Sequence, residues 1–119
     1  MRAMHVESIV FVGTRTAARA DMSRFARHVL GLRPADPGGM DADVFGLPDG
    51  SSFAVTSPDV PDDAERTVGF LVPDVEQAAA ELRAAGIATS DEVSSSAHQR
   101  YVHFRAPDGH LYELVENRH

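Results

Sequence analysis

The sequence predicts an α+β fold in which two repeated βαβββ modules form a curved mixed sheet around a cleft. Each half of the chain contains a strand pattern, a helix pattern and a closing hairpin, in the same order. The hairpins also match in sequence, since residues 45–50 read Phe-Gly-Leu-Pro-Asp-Gly and residues 104–109, fifty-nine positions later, read Phe-Arg-Ala-Pro-Asp-Gly. The predicted parts of this single domain, 1–119, are module 1 at about 5–57, a linker at 58–65 and module 2 at about 66–117.

Module 1 begins with a predicted strand over residues 5–12. A helix follows over about 17–30, because apolar residues recur there at helical spacing and Gly31 suits the position after a helix end. The apolar positions of this helix are Ala18, Met22, Phe25 and Val29. Residues 33–39 are rich in Pro and Gly and predict a loop without regular structure. Two short strands, 43–47 and 51–56, then flank a Pro-Asp-Gly turn.

Module 2 repeats this plan. A strand over 67–72 leads to Asp74, which lies three residues before Gln77, the spacing of a helix capping box. The helix that follows ends at Gly86. A weaker strand is predicted over 87 to about 93. The last hairpin has strands at 101–104 and 111–115. On these patterns Val12 matches Val72, sixty residues later, so that Glu7 matches Thr67 and Ala54 matches Glu113.

Composition restricts the classes of partner. The net charge of −7 disfavours nucleic acid, which binds basic surfaces. The absence of Cys excludes disulfides and cysteine zinc sites, and it fits a cytoplasmic location. No apolar run approaches the length of a membrane span, and no signal-peptide pattern opens the chain. We therefore expect a small-molecule ligand, with neither nucleic acid nor a membrane as partner.

The last hairpin carries the main candidate site residues. Glu113 is a carboxylate in a run that otherwise predicts a buried strand, and a buried carboxylate is a candidate general base. Alternation along the preceding strand puts Tyr101, His103 and Arg105 on one face, which we expect to line the cleft. Tyr112 should face the helices. We predict catalytic roles for Glu113 and His103, and ligand contacts by a second set of residues, Tyr101, Arg105, Phe53 and Thr67.

Several stretches resemble one known family. They are the opening strand with His5, the end of the first helix at Phe25 and 29–32, the Val-Pro-Asp-Val of 72–75, and the run from Phe104 to Glu113. Together they resemble the vicinal oxygen chelate superfamily, which includes glyoxalase I, extradiol dioxygenases, and the bleomycin and fosfomycin resistance proteins. The resemblance covers the whole chain and implies a glyoxalase-like fold, with homodimers common among members. One such scaffold hosts many activities.

The resemblance implies a divalent metal, Zn, Ni, Mn or Fe, held by His, Gln or Glu on the first and last strands of the modules. In this chain the first-strand ligand is His5 or Glu7, a choice that the sequence leaves open, and the last-strand ligand is Glu113. The other two positions hold Ala54 and Thr67, which depart from the ligand pattern. His103 is a candidate third ligand, because catalytic metal sites usually have about three protein ligands.

Two functions remain open from the sequence. One is a glyoxalase-like lyase or isomerase, or a dioxygenase-like enzyme, with a degenerate metal site. The alternative is a metal-free protein that binds a drug or metabolite, as antibiotic resistance proteins of this superfamily do. The missing ligand positions and the net negative charge favour the second function. Glu113, His103 and the first-strand His5 or Glu7 favour the first.

Overall fold

The computed structural model describes residues 4–58 and 66–118 of the chain, which contain eight strands and two helices. Each module contributes one helix and four strands. The elements of the first module are β1 Ser8–Arg15, α1 Arg19–His28, β2 Arg33–Ala35, β3 Asp43–Gly46 and β4 Ser52–Thr56. Those of the second are β5 Arg66–Leu71, α2 Val75–Ala84, β6 Ser94–Ser95, β7 Gln99–Arg105 and β8 Leu111–Asn117.

All eight strands form one mixed sheet in the order β2-β3-β4-β1-β5-β8-β7-β6. Within each module the first strand runs parallel to the last, β1 beside β4 and β5 beside β8. The modules join at the centre, where β1 and β5 pair antiparallel. The sheet curls into a half-barrel with the helices on its outer side, which confirms the predicted α+β fold with two βαβββ modules. The inner side is called the concave face below.

Each helix covers its own module's strands and makes a separate core. Under α2, Val75 and Ala79 pack against Val102 and Leu114, all almost completely buried. Under α1, the core consists of Ala26, Phe45 and Val55, with Met22, Leu32 and Phe53 packed around it. The two cores lie on the outer side of the sheet, so that strand residues alternate between these cores and the concave face.

The predicted ends of α2 are supported by its caps, whereas α1, predicted over about 17–30, spans Arg19–His28 and has no side-chain cap. The side chain of Asp74 accepts a hydrogen bond from the backbone N–H of Gln77 at 3.1 Å, as the capping-box spacing predicted. Gly86 follows the C-cap residue of α2 with φ of 83°, a conformation that favours glycine. At the end of α1 the predicted apolar stripe is wrong in part, because Phe25 and Val29 are exposed and the buried residue is Ala26.

Three other expectations need correction. Residues 33–39 are not wholly irregular, since β2 pairs with β3 there. The weak strand over 87–93 is absent from the described residues, where this segment makes only an isolated bridge between Thr89 and Phe104. β1 spans Ser8–Arg15 rather than 5–12, because its pairing with β4 and β5 extends beyond the apolar run. Local patterns missed these features, since each depends on a distant partner strand.

Strand pairing also changes the match between the modules. Gly13 pairs with Ala54, and Gly69 pairs with Glu113. Because Ala54 and Glu113 hold matching places in the two hairpins, Gly13 corresponds to Gly69. Thr67 therefore corresponds to Phe11 and not to Glu7, as the sequence comparison had suggested.

Within the described part of the chain, no helix combines the length and the apolar character that crossing a bilayer requires.

Candidate functional site

The site is built on the last hairpin, where β7 and β8 pair in register and put His103 directly opposite Glu113. The turn between them is tight, since the N–H of Gly109 donates to the carbonyl of Ala106 at 2.9 Å and Gly109 has φ of 83°. On the neighbouring positions, Val102 and Leu114 point into the core under α2. Alternation therefore turns His103 and Glu113 to the concave face.

The two side chains form a close pair. His103 Nε2 lies 3.1 Å from Glu113 Oε2, within hydrogen-bonding distance. The side chain of Glu113 is 10% exposed, whereas that of His103 is 35% exposed. The carboxylate thus lies at the bottom of the site, and the imidazole lies between it and the solvent. A buried carboxylate beside an imidazole can fix the ring's orientation and stabilise its protonated form.

Because Gly69 has no side chain, there is space beside it for the side chain of Glu113. A β-carbon at Gly69 would lie 3.0 Å from Cγ of Glu113, 3.0 Å from its Oε1 and 3.0 Å from Cβ of Phe11. Such distances are below van der Waals contact, so any side chain at this position would force its neighbours to move. The carboxylate therefore lies against bare backbone on the neighbouring strand β5.

Phe11 forms the other side of this space. It pairs with Gly69 across β1 and β5, which puts it on the concave face in the same row as Glu113 and His103. Its ring lies over Gly13, because a β-carbon there would lie 3.1 Å from both Cε2 and Cζ of Phe11. The aromatic ring of Phe11 thus lies over the backbone of β1, on the same face of the sheet as the paired carboxylate.

Tyr101 adds an aromatic ring with a hydroxyl group. Its ring meets that of His103 edge to face, with centroids 5.6 Å apart and planes at 76°. Burial, and secondarily the negative charge of Glu113, raises the pKa of the Tyr101 hydroxyl above its usual value. The phenol is therefore protonated across the neutral range and can donate a hydrogen bond to a ligand. The sequence predicted this side chain in the cleft, and the structure places it there.

The remaining predicted ligand contacts have different outcomes. Thr67 is buried on β5, where it pairs with Gly13. Arg105 shares the face of His103 but is exposed at the hairpin end, where its Nη1 donates to the carbonyl of Gly109 at 2.8 Å. The prediction for Phe53 is wrong, because this side chain packs into the core under α1 on the opposite side of the sheet. Tyr112 faces the helices as predicted, between the rings of Phe70 and Phe104.

The predicted metal ligands are not brought together. His5 lies before β1 in a surface depression beside α2, together with Val72 and Asp74. This depression is on the outer side of the sheet, and Glu113 is on the opposite, concave side. Glu7 is exposed just before β1. Across residues 4–58 and 66–118, no three His, Cys, Asp or Glu side chains group closely enough to hold an ion. Among the described residues, the candidate ligands on the concave face are the His103 imidazole and the Glu113 carboxylate, and these two do not make up a three-ligand catalytic metal site.

The residues that the sequence prediction missed are Phe11, Gly13 and Gly69. One signal could have found them, since both first strands contain the dipeptide Val-Gly, at 12–13 and 68–69. Glycine inside a strand often marks the close approach of another group. Only the structure shows that the approaching groups are the Phe11 ring and the Glu113 carboxylate.

Known structures share this architecture over nearly the whole chain. The methylmalonyl-CoA epimerase from Mycobacterium tuberculosis superposes with a TM-score of 0.77 at 16% identity, and the match covers 100% of this chain and 93% of that one. A glyoxalase/bleomycin resistance protein/dioxygenase superfamily member from Vibrio splendidus 12B01 gives 0.66 at 19% identity, covering 89% and 96%. This chain has the fold of the vicinal oxygen chelate superfamily.

A larger protein with the superfamily fold is also similar. A halotolerant catechol dioxygenase matches with a TM-score of 0.71 at 23% identity, over 96% of this chain but only 40% of its own. At the level of sequence, no family model and no curated protein matches the chain. The similarity to the solved structures is therefore one of fold, and it confirms the glyoxalase-like architecture that the family resemblance implied.

Proposed function

We propose that this protein binds a small organic molecule on the concave face, without a bound metal, and that His103 and Glu113 form the polar centre of the site. The observation that carries the proposal is the close His103–Glu113 pair, which lies on the concave face of the sheet, the face that also carries the apolar ring of Phe11. Ligand sites usually combine an apolar lining with a few fixed polar groups. Protonated Tyr101 supplies a third polar group next to the pair.

The metal-dependent alternative has less support. Among the described residues, the outer placement of His5 leaves one carboxylate and one imidazole as candidate ligands on the concave face, and Ala54 and Thr67 cannot replace the missing ligands. Lyase, isomerase and dioxygenase activities and the formation of a homodimer remain predictions from the family resemblance, and a cytoplasmic location remains a prediction from the absence of Cys. The named activities of the similar structures belong to those proteins.

Metal analysis and ligand binding test the proposal together. We expect protein purified without chelators to contain no stoichiometric divalent metal, and a screen of aromatic and cationic metabolites and drugs by NMR to find a saturable ligand. Glu113→Gln should weaken its binding about ten- to hundredfold, because a hydrogen bond to a charged group is worth about 1.5–3 kcal/mol. Asp21→Asn, which changes an exposed carboxylate on α1, serves as the control and should leave affinity unchanged.

Two results would contradict the proposal that the concave face binds a small molecule without a metal. One is a stoichiometric metal ion that disappears in Glu113→Ala, which would favour the metal enzyme. The other is a ligand whose affinity responds equally to the Glu113 and Asp21 substitutions, which would put the binding site elsewhere.

A second function is supported by the same pair, namely proton transfer without a metal. An imidazole held by a carboxylate is a common general base, and the carboxylate stabilises the charge that the ring gains. A suitable probe is 5-nitrobenzisoxazole, whose ring opens when a base removes the C3 hydrogen as the N–O bond breaks, giving 2-cyano-4-nitrophenolate. We expect a rate above the buffer reaction that His103→Gln abolishes. A rate unaffected by His103→Gln would exclude this role.

A further inference from the structure

Exposed apolar side chains are concentrated in two short segments of the first module. Among the described residues, the large apolar side chains that are at least 40% exposed are Val6, Ile9, Phe25, Val29, Leu30 and Met40. Val6 and Ile9 lie at the start of β1, and Phe25, Val29 and Leu30 lie at the end of α1. Met40 is the member of this set that lies elsewhere, in the loop before β3.

These two segments lie at the same end of the molecule. Arg19, at the start of α1, contacts Asp43 with Nε 3.2 Å from Oδ2. Asp43 pairs with Val55, which pairs with Thr14 near the end of β1. From this level the ten residues of α1 return along the sheet for about 15 Å, the length of four to five strand residues. The end of α1 is therefore level with Ile9, near the start of β1.

The fold itself does not require large apolar residues at the end of α1. The helices of the two modules have the same length, and their C-cap residues are Val29 in α1 and Ala85 in α2. Four residues before each C-cap, α1 has Phe25 and α2 has Glu81. The second module thus forms the same helix with a methyl group and a carboxylate at these positions. Exposed apolar clusters that a fold does not need often mark contact surfaces.

A depression with complementary chemistry lies at the same end, beside the start of α2. Its volume is about 450 Å³, and it is lined by apolar and acidic residues together with His5 and Gln77. The apolar residues are Met4, Val72, Pro73 and Ala78, and the acidic ones are Asp74 and Glu81. We call this surface the α2 depression. Because Met4 and His5 directly precede β1, it lies level with the end of α1.

The charge at the end of α1 is opposite to that of the α2 depression. Arg27 is exposed between Phe25 and Val29, and its guanidinium makes no hydrogen bond or ion pair within residues 4–58 and 66–118. We call Phe25, Arg27 and Val29 the α1 patch. An apolar patch with a cation and an apolar depression with carboxylates match each other in chemistry. Both belong to a chain whose net charge is −7, so that a basic patch on it is the exception.

We propose that two copies of this chain associate through this end of the outer face, with the α1 patch of each copy against the α2 depression of the other. The two helices cover strands on opposite sides of the central β1–β5 pair. A twofold axis parallel to the strands therefore makes both contacts at once, and a twofold contact closes at the dimer. The family resemblance implied a homodimer, and this proposal adds the surface that forms it.

The exposed residues at the start of β1 lie near the proposed axis. Ile9 faces the outer side of the sheet, because it pairs with Phe70, whose side chain packs against the core under α2. In the dimer Ile9 and Val6 would come close to the same residues of the second copy. This arrangement covers five of the six exposed large apolar side chains, all except Met40.

Sedimentation velocity over a range of protein concentrations tests the association. We expect the mass to rise from that of one chain, 12.8 kDa, to twice that value, with a dissociation constant of about 1–100 μM, as for small interfaces. Val29→Glu should raise the dissociation constant at least about tenfold, because it puts a carboxylate against the acidic depression. Met40→Glu is the matched control, since it makes the same charge change at an exposed apolar residue outside the interface, and it should leave association unchanged.

A charge exchange tests which surfaces meet. Arg27→Glu and Glu81→Arg should each weaken association about two- to tenfold, and the double variant, which exchanges the two charges in every copy, should recover most of the loss. Circular dichroism and thermal unfolding check that each variant is folded.

Several outcomes would overturn the proposal. A chain that stays monomeric at all concentrations would do so, as would equal effects of Val29→Glu and Met40→Glu, or a double variant no better than the single ones. Growth beyond the dimer would exclude the twofold arrangement. A monomer that instead co-sediments with phosphatidylserine vesicles would assign the α1 patch to an anionic lipid surface. The measurement uses no ligand, so failure of the proposed ligand-binding function would not affect it.

Discussion

Gly69→Ala is expected to destabilise the protein and to displace the carboxylate of Glu113. The new methyl group would lie 3.0 Å from Cγ and Oε1 of Glu113 and from Cβ of Phe11. Overpacking of this kind costs about 1–3 kcal/mol of unfolding free energy, which outweighs the roughly 0.4–1 kcal/mol that an alanine gains over glycine through the unfolded chain. The measurement is urea unfolding followed by circular dichroism. Ligand affinity should fall too, since Glu113 must move away from His103.

Gly46→Ala is the matched control. Gly46 also lies in a strand, its φ is not positive, and a β-carbon there would have its nearest neighbour, Cβ of Ala35, at 3.9 Å. This variant should keep its stability or gain up to about 1 kcal/mol. If Gly69→Ala proved as stable as Gly46→Ala and bound ligand equally well, the close approach of Glu113 to the β5 backbone would not matter for the site.

Much of the architecture could be predicted because local sequence patterns determine it, and the main patterns occur in both modules. The two Pro-Asp-Gly turns, the cap at Asp74 and the glycine at the end of α2 are decided by nearby residues, and the structure confirms each of them. Alternation along β7 correctly separated His103 from Val102, because adjacent strand residues always point to opposite faces.

What could not be predicted depends on the register between distant strands. The sequence aligned Val12 with Val72, yet pairing with β4 and β8 makes Gly13 the counterpart of Gly69. That shift moves the first-strand match of Thr67 from Glu7 to Phe11, and it removes the basis for a shared ligand position on the first strands. Strand register is set by contacts across the sheet, which no pattern within one strand contains.

The prediction that Phe53 contacts the ligand was wrong for a related reason. It is a large aromatic residue in a short strand, and such a residue fits a cleft lining or a core equally well until its neighbours are known. Its pairing with Phe45 under α1 places it in the core. The same limit applies to the apolar residues at the end of α1, where helical spacing predicted burial for Val29 and the structure leaves it 71% exposed.

Leu114→Ala is expected to have the largest effect on stability. Leu114 is 1% exposed and lies in the core under α2 with Val102 and Val75. Truncating a buried leucine costs about 2–5 kcal/mol, a large share of the roughly 5–15 kcal/mol that stabilises a typical domain. Urea unfolding should show a lower midpoint with an unchanged slope, because the surface exposed on unfolding changes little. Leu30→Ala, at a leucine that is 54% exposed, should change stability by less than about 0.5 kcal/mol.

Comparing Leu114→Ala with Gly69→Ala separates the effect of core stability on ligand binding from the effect of the side chains on the concave face. Leu114 and Glu113 are neighbours on β8 that point to opposite sides of the sheet, so the leucine can be shortened without touching the His103–Glu113 pair. At a temperature where Leu114→Ala is folded, its ligand affinity should therefore equal that of the unsubstituted protein. Gly69→Ala alters the concave face itself and should lose affinity even when fully folded. Equal loss of affinity in both folded variants would mean that binding depends on overall rigidity, and the paired carboxylate would lose its special role.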